Sequence, residues 1–174
     1  MDFRSHELLH LINDGHFLAK ALQVVAQLGV ADAVGDEPVP VTTVAQRVGA
    51  KAEPLARVLR LLASRGIFTL EGGLAEGTVS HTAPSRLLAS DHPHSFRPFA
   101  LNTATTRSWR LPEHMLHMVR TGEPAVAGSW WNELETDPEE ARLFDAAMVA
   151  KSHTQIAGVI EAFDFSRFGR VVDV

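Results

Sequence analysis

The first helix that the sequence predicts is too apolar to lie on the surface of a small monomer. Between residues 7 and 28, apolar side chains recur at helical spacings but cover more than one stripe of the helix. They are Leu8, Leu9, Leu11, Ile12, Phe17, Leu18, Ala21, Leu22, Val24, Val25 and Leu28. A helix of this kind needs packing partners on two sides, so we expect two copies of the chain to associate as a homodimer.

A helix, a turn, a second helix and a β-hairpin follow in that order. Thr42 or Thr43 is placed to cap a helix that ends near residue 48, and residues 53–64 form the next helix, with one apolar face. Two strands, at residues 67–70 and 78–81, flank a glycine-rich turn. This succession of elements is typical of a winged helix.

The remainder of the chain returns to helix and ends in a β-branched run. Helices are predicted at residues 84–88, 96–119 and 138–163, the last of them after an Asp137 N-cap. Residues 171–174 are typical of a strand buried in a parallel sheet. A lone parallel strand cannot satisfy its backbone hydrogen bonds, so we expect its sheet to be encoded further on.

Composition argues against several kinds of site and location. The chain has no cysteine, which excludes disulfides, thiolate metal sites and a cysteine nucleophile. No apolar stretch approaches the roughly 20 residues of a membrane span, and the first residues lack the features of a secretory signal. We therefore expect a cytoplasmic protein without a membrane partner.

Three pairs of histidines could each supply two ligands to a metal ion, but no third ligand lies at a suitable spacing, so no metal site is expected. They are His6 with His10, His92 with His94, and His114 with His117.

A winged helix raises the possibility of DNA binding. Residues 41–66 carry five basic side chains against Glu53 alone, and Arg57 and Arg60 would share the exposed face of the second helix. The whole chain, however, has 16 basic and 21 acidic residues and a net charge of −5, whereas phosphate binding needs a sustained basic surface. We therefore expect solvated arginines and no nucleic-acid partner.

Two aromatic features near the end of the chain are candidate ligand contacts. Phe144 and Met148 lie four residues apart on one helix face, with Ser152 one turn further on. From spacing alone, Phe144 and Met148 are interpreted as ordinary core. The adjacent pair Trp130 and Trp131 is usually a packing anchor, but such pairs also form walls of apolar ligand pockets.

Six segments, taken together and in this order, resemble one family. It is the S-adenosylmethionine-dependent O-methyltransferases that act on small natural products, of the bacterial polyketide and plant phenolic types. The segments are LGVADAV at 28–34, AEPLARVLRLLASRGIF at 52–68, HTAPSRLLASDHPHS at 81–95, TGEPA at 121–125, ARLFDAAMVAKS at 141–152 and FDFSRFGRVVDV at 163–174.

The resemblance implies a mainly α fold in three parts. Residues 1–100 would form a winged-helix-like dimerisation domain in which two chains intertwine, and residues 101–168 a helical linker that contributes to the acceptor pocket. Residues 169–174 would begin a truncated, Rossmann-like S-adenosylmethionine-binding domain. The glycine-rich cofactor loop and the catalytic base would lie further along, so the resemblance implies no catalytic residue in these 174 residues and no activity for them alone.

The resemblance also assigns individual residues. Phe144 and Met148 would line the acceptor pocket, where we also place Trp131. Ser152 would approach the carboxylate of S-adenosylmethionine, and Asp173 would be the acid that precedes the glycine loop. The family usually has phenylalanine where Val126 stands, and a longer loop than residues 127–129 before the tryptophan, which affects the expected shape of the acceptor site.

The function implied is that of an enzyme, complete only in the full-length protein, that methylates a hydroxyl of a small aromatic natural product. Three alternatives stay open from the sequence. The enzyme could catalyse a different reaction, as a hydroxylase or a cyclase. The chain could also be a non-catalytic dimerisation subunit, or a winged-helix regulator that binds DNA.

Overall fold

The computed structural model describes residues 3–124 and 130–172, which form nine α-helices, a three-stranded sheet and one short 3₁₀ helix. The helices are α1 Phe3–Leu28, α2 Val30–Val34, α3 Val41–Arg47, α4 Ala52–Ala63, α5 Ala83–Arg86, α6 Arg97–Asn102, α7 Thr106–Thr121, α8 Trp130–Thr136 and α9 Pro138–Ala162. The strands are β1 Val39–Pro40, β2 Phe68–Glu71 and β3 Thr78–His81, and the 3₁₀ helix is Phe165–Arg167. The mainly helical fold is therefore confirmed.

The hydrophobic core lies between the second half of α1, the short helices α2 to α4 and the sheet. Leu55, Leu59 and Leu62 follow one face of α4 and are fully buried. They pack with Phe68 of β2 and Val79 of β3 in one cluster. Full burial of a side chain of this size contributes about 1.5–3 kcal/mol, so this cluster holds the first half of the chain together.

The sheet is antiparallel, with the strand order β1-β3-β2. The hairpin of β2 and β3 was predicted, and Leu70 pairs with Val79 in its register. Its turn requires glycine at position 77, because a Cβ atom there would overlap the carbonyl oxygens of Glu71 and Gly73. Strand β1 was not predicted. Its Pro40 cannot donate a backbone hydrogen bond and is tolerated because β1 lies at the edge of the sheet.

Two of the predicted helix starts have different outcomes. The prediction that Thr42 or Thr43 caps α3 is wrong, because the helix begins at Val41 with Pro40 in the N-cap position. The first backbone N–H of the helix, that of Val41, instead donates to the carbonyl oxygen of Gly77 at 2.9 Å. The Asp137 cap of α9 is confirmed, since its Oδ1 accepts hydrogen bonds from the backbone N–H groups of Glu139 and Glu140.

The helix predicted at residues 96–119 is two helices. Helix α6 ends at Asn102, and Thr105 caps α7 by accepting a hydrogen bond of 3.3 Å from the backbone N–H of Ser108. The Ser108 hydroxyl donates to the Asn102 carbonyl oxygen at 2.9 Å. These local hydrogen bonds compete with the continuous helical ladder and set a break between α6 and α7.

Large apolar surfaces stay exposed on the first and last long helices. Leu9 and Ile12 on α1 are 66% and 68% exposed, whereas Val25 on the same helix is buried. Helix α9 packs on α6 and α8, but Ile160 near its end is 64% exposed. None of the helices formed by residues 3–124 and 130–172 combines the length and the apolar character that crossing a bilayer requires.

The predicted terminal strand is not formed by the described residues. Val171 and Val172 belong to no strand and are both exposed, and residues 173 and 174 lie outside the described residues. An extended segment becomes a strand only when a neighbouring strand accepts and donates its backbone hydrogen bonds. A strand at residues 171–174, and with it the domain boundary at 169, stays a prediction about a longer polypeptide.

His81 connects β3 to α2 and to the start of α5. Its Nε2 lies 3.1 Å from the carbonyl oxygen of Ala31, so Nε2 donates, and its Nδ1 lies 2.9 Å from the Ser85 hydroxyl. Burial lowers the pKa of His81 below its ordinary value of 6.5, and the positive charge of Arg86 lowers it further. The side chain is therefore held in the neutral form near pH 7.

This lowered pKa predicts that acid destabilises the fold. The unfolded chain takes up a proton at His81 more readily than the folded chain. The contribution of neutral His81 to the free energy of unfolding is therefore fully present above pH 6.5, and it is lost as the pH falls through the lower pKa that His81 has in the folded chain. We expect His81→Gln to reduce the difference between urea unfolding midpoints at pH 7.5 and pH 5.5, and exposed His114→Gln to leave it unchanged. An equal pH dependence in His81→Gln and the parent chain would contradict this role.

Candidate functional site

Helix α9 places three of the predicted site residues on one face. Phe144, Met148 and Ser152 follow one another at intervals of four residues, and each is half-buried. The Asp137 cap and Pro138 at the first helical position fix where this helix starts. From this start, the helical repeat places the aromatic, thioether and hydroxyl groups in that order along one face of α9.

The structure brings Trp131 and Phe144 together. Their rings meet edge to face, with centroids 5.8 Å apart and an interplanar angle of 87°. Both residues line an open cavity of about 290 Å³, together with Leu134, Glu135, Ala141 and Asp145. Aromatic side chains arranged in this way bind flat, apolar groups. Trp131 and Phe144 therefore form the candidate acceptor wall of this cavity.

The other predicted site residues are not all part of this cavity. Met148 and Ser152 lie one and two helical turns beyond Phe144 and do not line it. Asp173, Val126 and residues 127–129 lie outside the described residues, so their expected roles stay predictions. The assignments of Trp131, Phe144 and Met148 to an acceptor pocket are likewise predictions.

A buried ion pair next to the aromatic wall was missed by sequence analysis. Arg107 on α7 is 3% exposed, and its Nε lies 2.7 Å from Oε2 of Glu140 on α9. The guanidinium carbon is 5.9 Å from the ring centroid of Phe144. Nothing in the sequence distinguishes Arg107 from Arg120, which is exposed on the same helix.

A second buried polar group links α1 to the site helices. Gln23 is 5% exposed and donates from its Nε2 to the carbonyl oxygen of Thr103 at 2.9 Å. Its Oε1 accepts a hydrogen bond of 3.2 Å from the indole N–H of Trp109. Asn102 is also buried, and its Oδ1 has no hydrogen-bond partner among the described residues. A polar residue inside an apolar helix stripe, as Gln23 is, was the available sequence signal for this network.

Neither a metal site nor a nucleic-acid partner was expected, and the geometry of the described residues can be compared with both expectations. Within residues 3–124 and 130–172, no group of three or more histidine, cysteine or acidic side chains is placed to hold a metal ion. Arg57 pairs with Glu53 at 2.6 Å, and both side chains are largely exposed. This agrees with solvated arginines on a structural helix, and the absence of a nucleic-acid partner stays a prediction.

The described residues fit S-adenosylmethionine only in part. Ser152 offers a half-buried hydroxyl that could donate to the cofactor's carboxylate, while Asp173 lies outside the described residues. Because a single hydroxyl does not define a cofactor site, this part of the chain would supply one polar contact of a larger site.

Comparison with known proteins places the chain in a family. Residues 9–91 match the sequence model of the O-methyltransferase dimerisation domain. The chain is 37% identical over 171 residues to Phenazine O-methyltransferase PhzM of Lysobacter antibioticus, which covers 96% of this chain and 49% of that protein. It is also 32% identical over 160 residues to Aclacinomycin 10-hydroxylase RdmB of Streptomyces purpurascens, covering 88% of this chain and 42% of that protein.

Solved structures agree with the sequence matches. CalO1, a methyltransferase in calicheamicin biosynthesis solved in its SAH-bound form, superposes with a TM-score of 0.80 and 27% identity, over 95% of this chain and 50% of that chain. The chain spans about half the length of the curated relatives it matches. The resemblance carried by the six segments is thereby confirmed: residues 9–91 match the O-methyltransferase dimerisation domain, and the chain is similar to about half the length of O-methyltransferases.

Proposed function

We propose that this chain is the dimerising and acceptor-binding part of an S-adenosylmethionine-dependent O-methyltransferase that methylates a hydroxyl of a small aromatic natural product. The observation that carries the proposal is the edge-to-face pair of Trp131 and Phe144, which lines a cavity in a chain whose residues 9–91 match the family's dimerisation domain. The relative from Lysobacter antibioticus supports an aromatic acceptor, because its name specifies phenazine.

Each part of the wall would have a separate task. When bound, S-adenosylmethionine supplies an electrophilic methyl group on its sulfonium. Trp131 and Phe144 would orient the aromatic ring of the acceptor, Met148 would pack against it one turn further along α9, and Ser152 would hold the cofactor's carboxylate. Methyl transfer to a hydroxyl needs this positioning together with a base that removes the proton, which we place in the remainder of the protein.

The proposed assembly is a homodimer formed through residues 1–100, with a winged-helix-like arrangement in each copy. Its support is the uncovered apolar half of α1, where Leu8, Leu9 and Ile12 are each more than half exposed. The order of α3, α4, β2 and β3, with β1 on the outer edge of the sheet, supports the winged-helix description. We place the dimer in the cytoplasm, without a nucleic-acid partner.

A second reaction has specific support as well. The relative from Streptomyces purpurascens is named a hydroxylase, although its similarity covers 88% of this chain and 42% of the relative. The same dimerisation domain and pocket wall could therefore serve a different chemistry in the complete enzyme. Because the reaction is decided by groups beyond this wall, product analysis separates the two candidates.

The proposed reaction is tested with the protein encoded by the complete reading frame that contains this sequence. We expect incubation with S-adenosylmethionine and hydroxylated aromatic compounds to give a product heavier by one methylene group. Phe144→Ala should raise the KM for the acceptor about tenfold, because it removes one aromatic wall, and Val159→Ala on the exposed end of α9 should not. A product heavier by one oxygen atom would favour the hydroxylase, and no effect of Phe144→Ala would contradict the assigned wall.

The 174-residue chain by itself should not catalyse methyl transfer. It contains one wall of the acceptor site and one candidate cofactor contact, and the proposed base and glycine loop are not among its residues. We expect isothermal titration with S-adenosylmethionine to show no micromolar binding, and a methyl-transfer assay to show no turnover. Measurable turnover, or micromolar cofactor binding, by the isolated chain would overturn this division of tasks.

A further inference from the structure

We propose that Arg107 is a positioning residue that sets the ring of Phe144 in the acceptor wall, acting together with Glu140. The inference rests on the proposed function, because the orientation of this ring matters to an acceptor only if the wall binds one. Its starting point is a charged side chain that is almost fully buried beside the aromatic cavity.

Because Arg107 is buried, its positive charge depends on the carboxylate of Glu140 for neutralisation. The Arg107 side chain is 3% exposed and that of Glu140 is 25% exposed, with 2.7 Å between Nε and Oε2. A buried guanidinium is tolerated when a carboxylate neutralises it at hydrogen-bond distance, and removing one partner leaves an uncompensated charge. The planar guanidinium also fixes direction, which the single ammonium of lysine does not.

Both members of the pair are held by anchored helix ends. Arg107 lies in the first turn of α7, where Thr105 accepts from the Ser108 backbone and the Ser108 hydroxyl bonds the Asn102 carbonyl oxygen. Glu140 lies in the first turn of α9, and its backbone N–H donates to Asp137 at 3.0 Å. The ion pair therefore joins two fixed helix starts and links α7 to α9.

The pair acts on Phe144 through its place on α9. Glu140 and Phe144 are four residues apart and share one helix face. The guanidinium carbon of Arg107 lies 5.9 Å from the Phe144 ring centroid, within the range of a cation–π contact. The edge-to-face contact with Trp131, at 5.8 Å, is the second contact of the same ring. A ring with a cation and an indole as neighbours has few orientations left.

A spectroscopic test reports on the ring itself. The 174-residue chain is labelled with 4-fluorophenylalanine, and Phe144→Leu identifies the fluorine signal of Phe144. We expect Arg107→Met to shift and broaden that signal, Arg107→Lys to shift it less, and Arg120→Met to leave it unchanged. Arg120 is the matched control because it lies on the same helix, is exposed, and loses the same charge.

The second readout is the affinity of the wall for 2-naphthol, a hydroxylated aromatic probe, measured by titration of the Phe144 fluorine signal. We expect Arg107→Met to weaken binding by about threefold or more, and Arg107→Lys to restore part of it. A Phe144 signal and a 2-naphthol affinity unchanged in folded Arg107→Met would overturn the proposal. If Arg107→Met does not fold, unchanged values in Arg107→Lys would overturn it equally.

The two readouts separate this inference from the function on which it rests. If the parent chain does not bind 2-naphthol but the Phe144 signal still responds to Arg107→Met, Arg107 positions the ring and the proposed acceptor wall is wrong. If the parent binds 2-naphthol and the Phe144 signal is insensitive to both substitutions of Arg107, the wall is supported and the positioning role is wrong.

Discussion

The first half of α1 carries more apolar surface than the described part of the chain covers, and the proposed association of two chains depends on this surface. Leu9, Ile12 and Phe17 are exposed, whereas Ala21 and Val25, on the same helix, are buried against the core. One continuous helix therefore has two environments, the second half packed within its own chain and the first half without cover. Because exposed apolar surface of this extent is unfavourable in water, we propose that a second copy of the chain covers it.

The buried half of α1 also connects this scaffold to the candidate site. Gln23 bonds Thr103, next to the end of α6, and Trp109 on α7, so α1 holds the segment from which Arg107 extends. Helix α9 in turn packs on α6 and presents Phe144 to the cavity. The wall is thus built on helices that the dimerisation domain itself anchors. In this account, association uses the first half of α1, and acceptor binding uses α8 and α9.

Local signals predicted the elements that local chemistry controls. The Asp137 cap, the hairpin of β2 and β3 and the apolar face of α4 depend on neighbouring residues, and the structure confirms them. Contacts between distant residues were not predictable in this way. Strand β1 forms because β3 offers it an edge, and Arg107 is buried because α9 brings Glu140 to it. For the site, Trp131 and Phe144 were predicted from the resemblance, and their role in binding an acceptor stays a prediction. Their contact could not be predicted, because it requires the packing of α8 on α9.

The central claim is that a second copy of the chain covers the first half of α1. Light scattering coupled to size-exclusion chromatography tests this most directly, because it measures the mass of the protein in solution. The account predicts a mass twice the 19.0 kDa of one chain. Ile12→Asp should lower that mass toward a single chain, while Gln27→Asp, which adds the same charge to the packed half of α1, should not. A single-chain mass for the folded, unsubstituted protein would contradict the account.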